Sequence, residues 1–99
     1  MPAYVIIEVD VFDPAQFERY KELAPPTIAA YGGRYLARGG NAALLAGETE
    51  PRRTVILEFP SLARAREWEC SAEYAPAKAI RQRAARVRMV AVEGYEPAV

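Results

Sequence analysis

The side chains best able to bind a ligand or take part in a reaction are tyrosines, arginines and a tryptophan on predicted helices and strand ends. Arg38 precedes Gly39-Gly40, so its guanidinium could hold a carboxylate through two hydrogen bonds while a ligand approaches the glycine backbone. An ion pair at the surface or between subunits would explain Arg38 equally well. The full set of ligand-binding candidates is Tyr20, Tyr31, Arg38, Asn41, Trp68, Tyr74 and Arg81.

The aromatic candidates have structural as well as functional interpretations. Tyr20 and Tyr31 lie on the apolar stripe of the first predicted helix, where they could fill the core or donate to a ligand oxygen. Trp68 could belong to the core or form the wall of a cavity. Tyr74 and Arg81 are seven residues apart on one helix face, so they could reach a ligand together or fix that helix to its neighbour.

Three carboxylates, Glu8, Glu58 and Glu93, are predicted on the sheet face turned away from the helices. Buried carboxylates must be paired or protonated. One interpretation is a network of salt bridges at an interface, and the alternative is a general base with a raised pKa. The predicted partners are Arg34, Arg52 or Arg53.

The sequence contains no histidine and one cysteine, Cys70. This excludes Ser–His and Cys–His nucleophiles, histidine ligands to haem, zinc or iron, and thiolate clusters. We therefore expect no metal and no cofactor, and we interpret Cys70 as a small buried hydrophobic residue. The remaining catalytic candidates are Arg38, to orient a substrate, and Tyr31 or Glu58, to move a proton.

Composition limits the class of protein. The 99 residues predict one domain over 1–99, and thirteen basic and thirteen acidic side chains cancel, so nothing steers the chain toward nucleic acid. No apolar run approaches the roughly 20 residues of a membrane helix. The start lacks the basic leader of a signal peptide, and a single cysteine suits a reducing compartment, so we expect a cytoplasmic protein. Eleven arginines against two lysines suggest a GC-rich bacterial genome.

Alternating apolar residues predict four strands, at 3–11, 34–38, 53–59 and 87–94, and a further short strand at 42–47. Three helices are predicted between them. The first begins after Asp13 and ends at Gly32-Gly33, with a kink or break at Pro25-Pro26. The second follows Ser61, and the third follows Ser71 and runs to about Ala85. The tail, 96–99, is expected to fray.

This order, strand-helix-strand-strand-helix-strand, is the ferredoxin-like pattern of an α+β fold: a four-stranded antiparallel sheet with helices on one face. Apolar residues also fall on the face that the helices leave bare, and such a patch needs burial. A homodimer through the sheet face would provide it symmetrically, whereas a monomer with a half-exposed sheet is the alternative. The residues assigned to that face are Tyr4, Ile6, Ile56, Met89 and Ala91.

Three segments resemble the domain of unknown function 1330. They are APPTIAAYGGRYLARGG (24–40), RTVILEFPS (53–61) and the W-x-x-S-x-E-Y run that begins at Trp68. The resemblance implies a ferredoxin-like subunit of a dimeric α/β barrel, with ligands between sheet and helices and no settled activity. Its wider superfamily includes cofactor-free monooxygenases, haem-degrading enzymes, chlorite dismutases, muconolactone isomerases and ligand-sensing domains. Glu69 departs from the family pattern, which often has tyrosine directly after the tryptophan.

Three functions follow as hypotheses. The first is a cofactor-free isomerase or monooxygenase-like enzyme that acts on a small acidic or aromatic metabolite. The second is a binding or sensing module with the same pocket and no turnover. The third is a structural dimerisation unit with a filled core. A ligand beside Arg38 would separate the first two from the third.

Overall fold

The computed structural model describes residues 1–96 and contains four strands and three helices. The remainder of the predicted frayed tail, residues 97–99, lies outside the described residues. In chain order the elements are β1 (Ala3–Val11), α1 (Pro14–Ala30), β2 (Arg34–Arg38), β3 (Arg53–Phe59), α2 (Leu62–Glu69), α3 (Ala75–Ala84) and β4 (Ala85–Glu93).

The four strands form one antiparallel sheet in the order β2-β3-β1-β4. The first strand lies between β3 and β4, and alternate residues from Val5 to Val9 bury their side chains against the helices. All three helices pack on that same face. This arrangement confirms the predicted ferredoxin-like α+β fold, with the second helical connection divided into α2 and α3.

The predicted strand at 42–47 is wrong. The chain leaves the sheet after Arg38, and every residue from 41 to 50 is exposed without regular structure. Gly39 turns the backbone there with a φ of 69°. The alanine- and leucine-rich segment has no β-branched residue to favour an extended strand.

Of the predicted kink or break at Pro25-Pro26, the break is wrong, because α1 continues through both prolines to Ala30. Its start is as predicted: the Asp13 carboxylate accepts a hydrogen bond from the backbone N–H of Gln16 at 3.2 Å, and Pro14 occupies the first turn. The two prolines lack the backbone N–H groups that would bind two carbonyls one turn earlier in α1. A side chain of the site described below binds one of these free carbonyls.

The two later helices begin in different ways. Ser61 caps α2, as predicted, by accepting from the N–H of Arg64 at 3.1 Å. The cap of α3 is Tyr74 rather than Ser71. Ser71 instead closes the turn between the helices, since its hydroxyl donates to the Trp68 carbonyl at 2.7 Å and accepts from the Tyr74 N–H at 3.1 Å.

The core between sheet and helices is centred on aromatic rings. Trp68 and Tyr74 are fully buried, and their ring centroids lie 4.3 Å apart. The ring centroids of Phe59 and Trp68 lie 5.3 Å apart. The indole N–H donates to the Thr27 hydroxyl at 3.0 Å, so the polar end of Trp68 is satisfied within the core.

The alternation of β4 corrects one prediction. Val90 and Val92 are the β4 residues on the bare face, opposite Ile6 and Tyr4. Met89 and Ala91, predicted there, face the helices instead. Glu93 is likewise displaced, because it pairs with Ala3, whose side chain faces the helices.

Candidate functional site

A narrow cavity between the sheet and α1 is lined by four cationic side chains. We call it the cationic cavity: Lys21, Arg38, Arg53 and Arg81 line it, together with Tyr20 and Tyr35, over a floor of apolar side chains. The floor comes from the helix-facing sides of β1 and β3 and from Phe17 of α1. Its free volume is about 30 Å³, enough for only one or two water molecules. No carboxylate lines it within the described residues.

A register shift in β2 directs Arg38 into this cavity. Arg34 pairs with Glu58 on the bare face, and simple alternation would place Arg38 on the same face. The pairing shifts by one residue between Tyr35 and Ala37, so Arg38 lies opposite Val55, whose side chain faces the helices. Such a bulge turns a side chain to the other face of a sheet.

The Arg38 guanidinium is held by two neighbours. Nη2 donates to the backbone carbonyl of Lys21 at 3.0 Å, and the guanidinium carbon lies 4.6 Å from the centre of the Tyr35 ring. The Lys21 carbonyl is the one that a non-proline residue at position 25 would bind within α1. Pro25 therefore leaves an acceptor that Arg38 uses.

Arg53 approaches the cavity from the first residue of β3. Its guanidinium carbon lies 5.4 Å from the centre of the Phe17 ring. A Cβ at Gly39 would come within 3.1 Å of the Arg53 guanidinium, which would have to shift slightly, and the φ of 69° itself favours glycine there. Among residues 1–96, no acidic group lies within 4.0 Å of the guanidinium of Arg38 or Arg53.

The other two cations have acidic neighbours. Lys21 lies 2.9 Å from Glu18, and Arg81 lies 3.9 Å from Glu69. Arg81 also donates from Nη1 to the hydroxyl oxygen of Tyr74 at 3.1 Å. The Tyr74 and Tyr20 hydroxyl oxygens are 2.7 Å apart, so one row of polar atoms runs from α3 to the cavity wall.

Burial raises the pKa of the two cavity tyrosines above that of a free phenol, which is already neutral at pH 7. Loss of contact with solvent raises the pKa of Tyr20, and the neighbouring Tyr74 raises it further. Burial also raises the pKa of Tyr35, although the nearby Arg38 charge opposes this shift. Both phenols therefore keep their hydrogen at neutral pH and can act as donors.

A second, wider cavity of about 350 Å³ lies beside the first, between α2, α3 and β4. We call it the wide cavity. Arg81 and Val87 line both spaces, so the Arg81 side chain lies at their boundary. Trp68, Met89 and Cys70 line the wide cavity. Cys70 is exposed at the end of α2, which contradicts its prediction as a buried hydrophobic residue.

The structure brings only some of the sequence candidates together. Tyr20, Arg38 and Arg81 line the cationic cavity, and Tyr74 contacts two of them from behind the wall. Trp68 belongs to the core and lines the wide cavity.

The other candidates are elsewhere. Asn41 lies in the exposed loop after β2. Tyr31 ends α1, where its hydroxyl donates to Glu73 at 2.8 Å and Arg64 stacks over its ring at 4.8 Å. Glu58 lies on the bare face of the sheet, where Arg34 donates to it at 2.9 Å.

The bare face carries ion pairs, of which only that between Arg34 and Glu58 joins a predicted carboxylate to a predicted partner. Besides Arg34 and Glu58, Glu8 lies 3.4 Å from Arg88 and faces Thr54 across β1 and β3. Arg52 is 3.8 Å from Asp10 rather than paired with a glutamate. Arg53, the third predicted partner, faces the helices.

The cavity residues predicted from the sequence did not include Lys21, Tyr35 and Arg53. The spacing of Arg53 and Lys21 from apolar residues could have indicated that both face the core. Arg53 is two residues before Val55 in β3, so alternation places both side chains on the helix-facing side. Lys21 lies four residues after Phe17 on the same helix stripe. Tyr35 had no comparable signal, because its alignment with Arg38 depends on the shift in β2.

Among residues 1–96, no group of three His, Cys, Asp or Glu side chains lies close enough to hold a metal ion. None of the helices in that range is long and apolar enough to cross a bilayer.

The chain matches a family model over residues 2–95 of its 99. It belongs to the DUF1330 family, a domain of unknown function. No curated protein matches the sequence significantly.

Solved structures share the fold of this DUF1330 chain at low identity. A protein of unknown function from Rhodopseudomonas palustris is 20% identical with a TM-score of 0.78, covering 97% of this chain and 84% of its own. SnoaB from Streptomyces nogalater, a cofactor-independent oxygenase, is 11% identical with a TM-score of 0.65, covering 97% and 95%. A dimeric ferredoxin-like protein of unknown function from Jannaschia is 13% identical with a TM-score of 0.64, covering 95% and 100%.

Proposed function

We propose that this DUF1330 protein binds a small organic acid in the cationic cavity. The observation that carries the proposal is the lining: within residues 1–96, four cationic side chains, two tyrosines and no carboxylate surround an apolar floor. A cavity of this composition attracts a negative group and at the same time offers a surface for an apolar or aromatic body.

Arg38 and Arg53 are the best placed to meet the negative group. Neither has a carboxylate partner within the described residues, so an incoming carboxylate would not have to displace one. Planar guanidinium groups bind a carboxylate through paired hydrogen bonds. Because the free volume is only about 30 Å³, a ligand would enter as the exposed Arg53 side chain moves outward, while Arg38 keeps its hydrogen bond to the Lys21 carbonyl.

The lining favours binding or sensing over proton-transfer catalysis. A proton-abstracting enzyme needs a base within reach of the substrate, and no carboxylate or imidazole among the described residues lines the cavity. Glu58 and Tyr31, the proton-moving candidates, lie elsewhere. Cofactor-independent oxygenation is the second candidate, supported by the fold shared with SnoaB and by Tyr20, a donor able to stabilise an anionic oxygen.

We also propose that the working unit is a homodimer through the bare sheet face. Ile6, Val90 and Val92 are 39%, 38% and 48% exposed on that face, and adjacent exposed apolar side chains are typical of an interaction surface. The dimeric relative from Jannaschia has the same fold. The ion pairs of Arg34 and Arg88 would then surround an apolar centre, as in many interfaces.

The binding proposal is tested with benzoate and its neutral isostere benzamide, by isothermal titration and by the shift in melting temperature. We expect benzoate to bind and to raise the melting temperature, and benzamide to do neither. Arg38→Met and Arg53→Met keep the aliphatic part of each side chain, and each should weaken benzoate binding about 10- to 100-fold, the value of a charge-assisted hydrogen bond.

Arg83→Met is the matched control, since Arg83 is an exposed arginine of α3 that does not line the cavity. It removes the same net charge and should leave benzoate affinity unchanged. Equal binding of benzoate and benzamide, or equal loss in all three variants, would contradict the proposed site.

A further inference from the structure

Two neighbouring polar groups determine whether the Tyr20 hydroxyl of the cationic cavity donates or accepts. Three polar groups form a row: the Arg81 guanidinium, the Tyr74 hydroxyl and the Tyr20 hydroxyl, with distances of 3.1 Å and 2.7 Å between successive atoms. Only Arg81 and Tyr20 also line the cavity. Tyr74 is fully buried between them.

The hydrogens of this row can be assigned by counting donors and acceptors. A guanidinium has only hydrogens to give, so Arg81 donates and the Tyr74 oxygen accepts. The Tyr74 hydroxyl also has one hydrogen of its own, and its only other hydrogen-bond partner among residues 1–96 is the Tyr20 oxygen. The Tyr74 hydrogen therefore points to Tyr20.

The opposite arrangement would be costly. If Tyr20 donated to Tyr74, the Tyr74 oxygen would accept two hydrogen bonds and its own hydrogen would have no acceptor. A buried donor without a partner destabilises a protein, and such groups are rare in native structures. The row therefore runs Arg81 to Tyr74 to Tyr20, and each bond polarises the next.

We propose that Tyr20 donates its hydroxyl hydrogen to a second oxygen of the bound acid and so selects organic acids that carry a keto oxygen. This inference rests on the proposed function, because the cationic side chains must hold the carboxylate. A keto oxygen accepts a hydrogen bond without offering a hydrogen in return, which suits a site whose phenol oxygen already accepts from Tyr74.

The protonation state of Tyr20 supports this role. Burial raises the pKa of Tyr20, so the phenol keeps its hydrogen throughout the physiological range. A site that hydrogen-bonds a ligand oxygen discriminates against the analogue that lacks this oxygen, because the buried donor is then left unpaired.

The orientation of the row can be tested without a ligand. Hydroxyl hydrogens of ζ-¹³C-labelled tyrosine are followed by NMR at low temperature. We expect the slowly exchanging hydroxyl resonance to belong to Tyr74 and to vanish in Tyr74→Phe. A slowly exchanging resonance that belongs to Tyr20 would show that the row runs the other way and would overturn the inference.

Selection is tested with two pairs of acids that differ only in a keto oxygen: phenylglyoxylate with phenylacetate, and 4-oxo-4-phenylbutanoate with 4-phenylbutanoate. In the native protein we expect the keto acid of at least one pair to bind about three- to tenfold more tightly, the value of one neutral hydrogen bond. In Tyr20→Phe the ratio should fall to about one, whereas Tyr31→Phe, which removes a hydroxyl outside the cavity, should leave it unchanged.

The outcomes separate the two proposals. If all four acids bind through Arg38 without preference for either keto acid, the anion site stands and the role of Tyr20 is overturned. If the preference persists in Tyr20→Phe, another donor provides it, and the inference is again overturned. Failure of all four acids to bind would overturn the proposed function itself and this extension with it.

Discussion

Arg38 donates from Nη2 to the backbone carbonyl of Lys21 at 3.0 Å, and Pro25 is the reason this carbonyl is free. A residue with a backbone N–H at position 25 would bind the same oxygen within α1. Pro25 and Arg38 therefore act together: the proline leaves a carbonyl free, and the hydrogen bond to that carbonyl holds the Arg38 guanidinium at the entrance to the cavity.

Pro25→Ala should make α1 more stable and the site less organised. We expect the free energy of unfolding to rise by about 1–2 kcal/mol, since proline is the poorest helix former, and benzoate affinity to fall about threefold as Arg38 loses its anchor. Pro26→Ala is the control, because its new N–H would bind the carbonyl of Glu22 and leave the carbonyl of Lys21 available to Arg38. Denaturant titration and calorimetry measure both effects, and equal benzoate affinity in the two variants would contradict the coupling.

The register shift in β2 predicts the result of a deletion. The pairing places Tyr35 opposite Leu57 and Ala37 opposite Ile56, so Leu36 is the additional residue. Deleting Leu36 should give a regular strand that still directs Arg38 toward the helices. We expect benzoate affinity within about threefold of native, a difference of roughly 0.7 kcal/mol. Loss as large as that in Arg38→Met would show that Leu36 is not the inserted residue.

Periodicity predicted the sheet, its strand order along the chain and the helical side of β3, because these follow from local alternation. It failed where position depends on a distant partner. Arg38 faces the cavity only because β2 shifts against β3. The helix through Pro25 persists where a side chain from another element contacts the free carbonyl. The side of Met89 was misassigned because β4 is apolar on both faces, so alternation alone could not orient it.

Tyr31 and Glu73 predict a local pH dependence. The hydrogen bond from Tyr31 lowers the pKa of the Glu73 carboxyl, so Tyr31→Phe should move this pKa back toward its ordinary value of about 4.3. A lowered folded-state pKa stabilises the protein above the unfolded pKa, and this contribution disappears as pH falls through the folded one. Carboxyl ¹³C NMR titration measures the change. Tyr95→Phe, at an exposed tyrosine, should leave the Glu73 titration unchanged.

Tyr20 predicts a loss of stability at alkaline pH. Its pKa is raised in the folded protein, mainly by burial, whereas the unfolded chain releases the same hydrogen near pH 10. Stability is therefore complete below about pH 10 and falls above it, by about 1.4 kcal/mol per pH unit for this one group, until the folded pKa is reached. Tyr20→Phe should reduce the slope of unfolding free energy against pH by that amount. An unchanged slope would mean that Tyr20 ionises in the folded state as it does in the unfolded chain.

The bare sheet face predicts the result of adding a charge. Val90 lies on the bare face opposite Ile6, midway along the edge strand β4, and its side chain is exposed, so Val90→Lys should leave the monomer folded. In a sheet-to-sheet dimer it would place two lysines in an apolar interface and cost about 3 kcal/mol, which raises the dissociation constant roughly 100-fold.

Leu45→Lys is the control, since Leu45 is 94% exposed in the loop after β2. Sedimentation should show the native protein and Leu45→Lys at twice 11.0 kDa and Val90→Lys at 11.0 kDa. A native protein that sediments at 11.0 kDa would contradict the dimer, and an intact dimer in Val90→Lys would assign the interface to another surface.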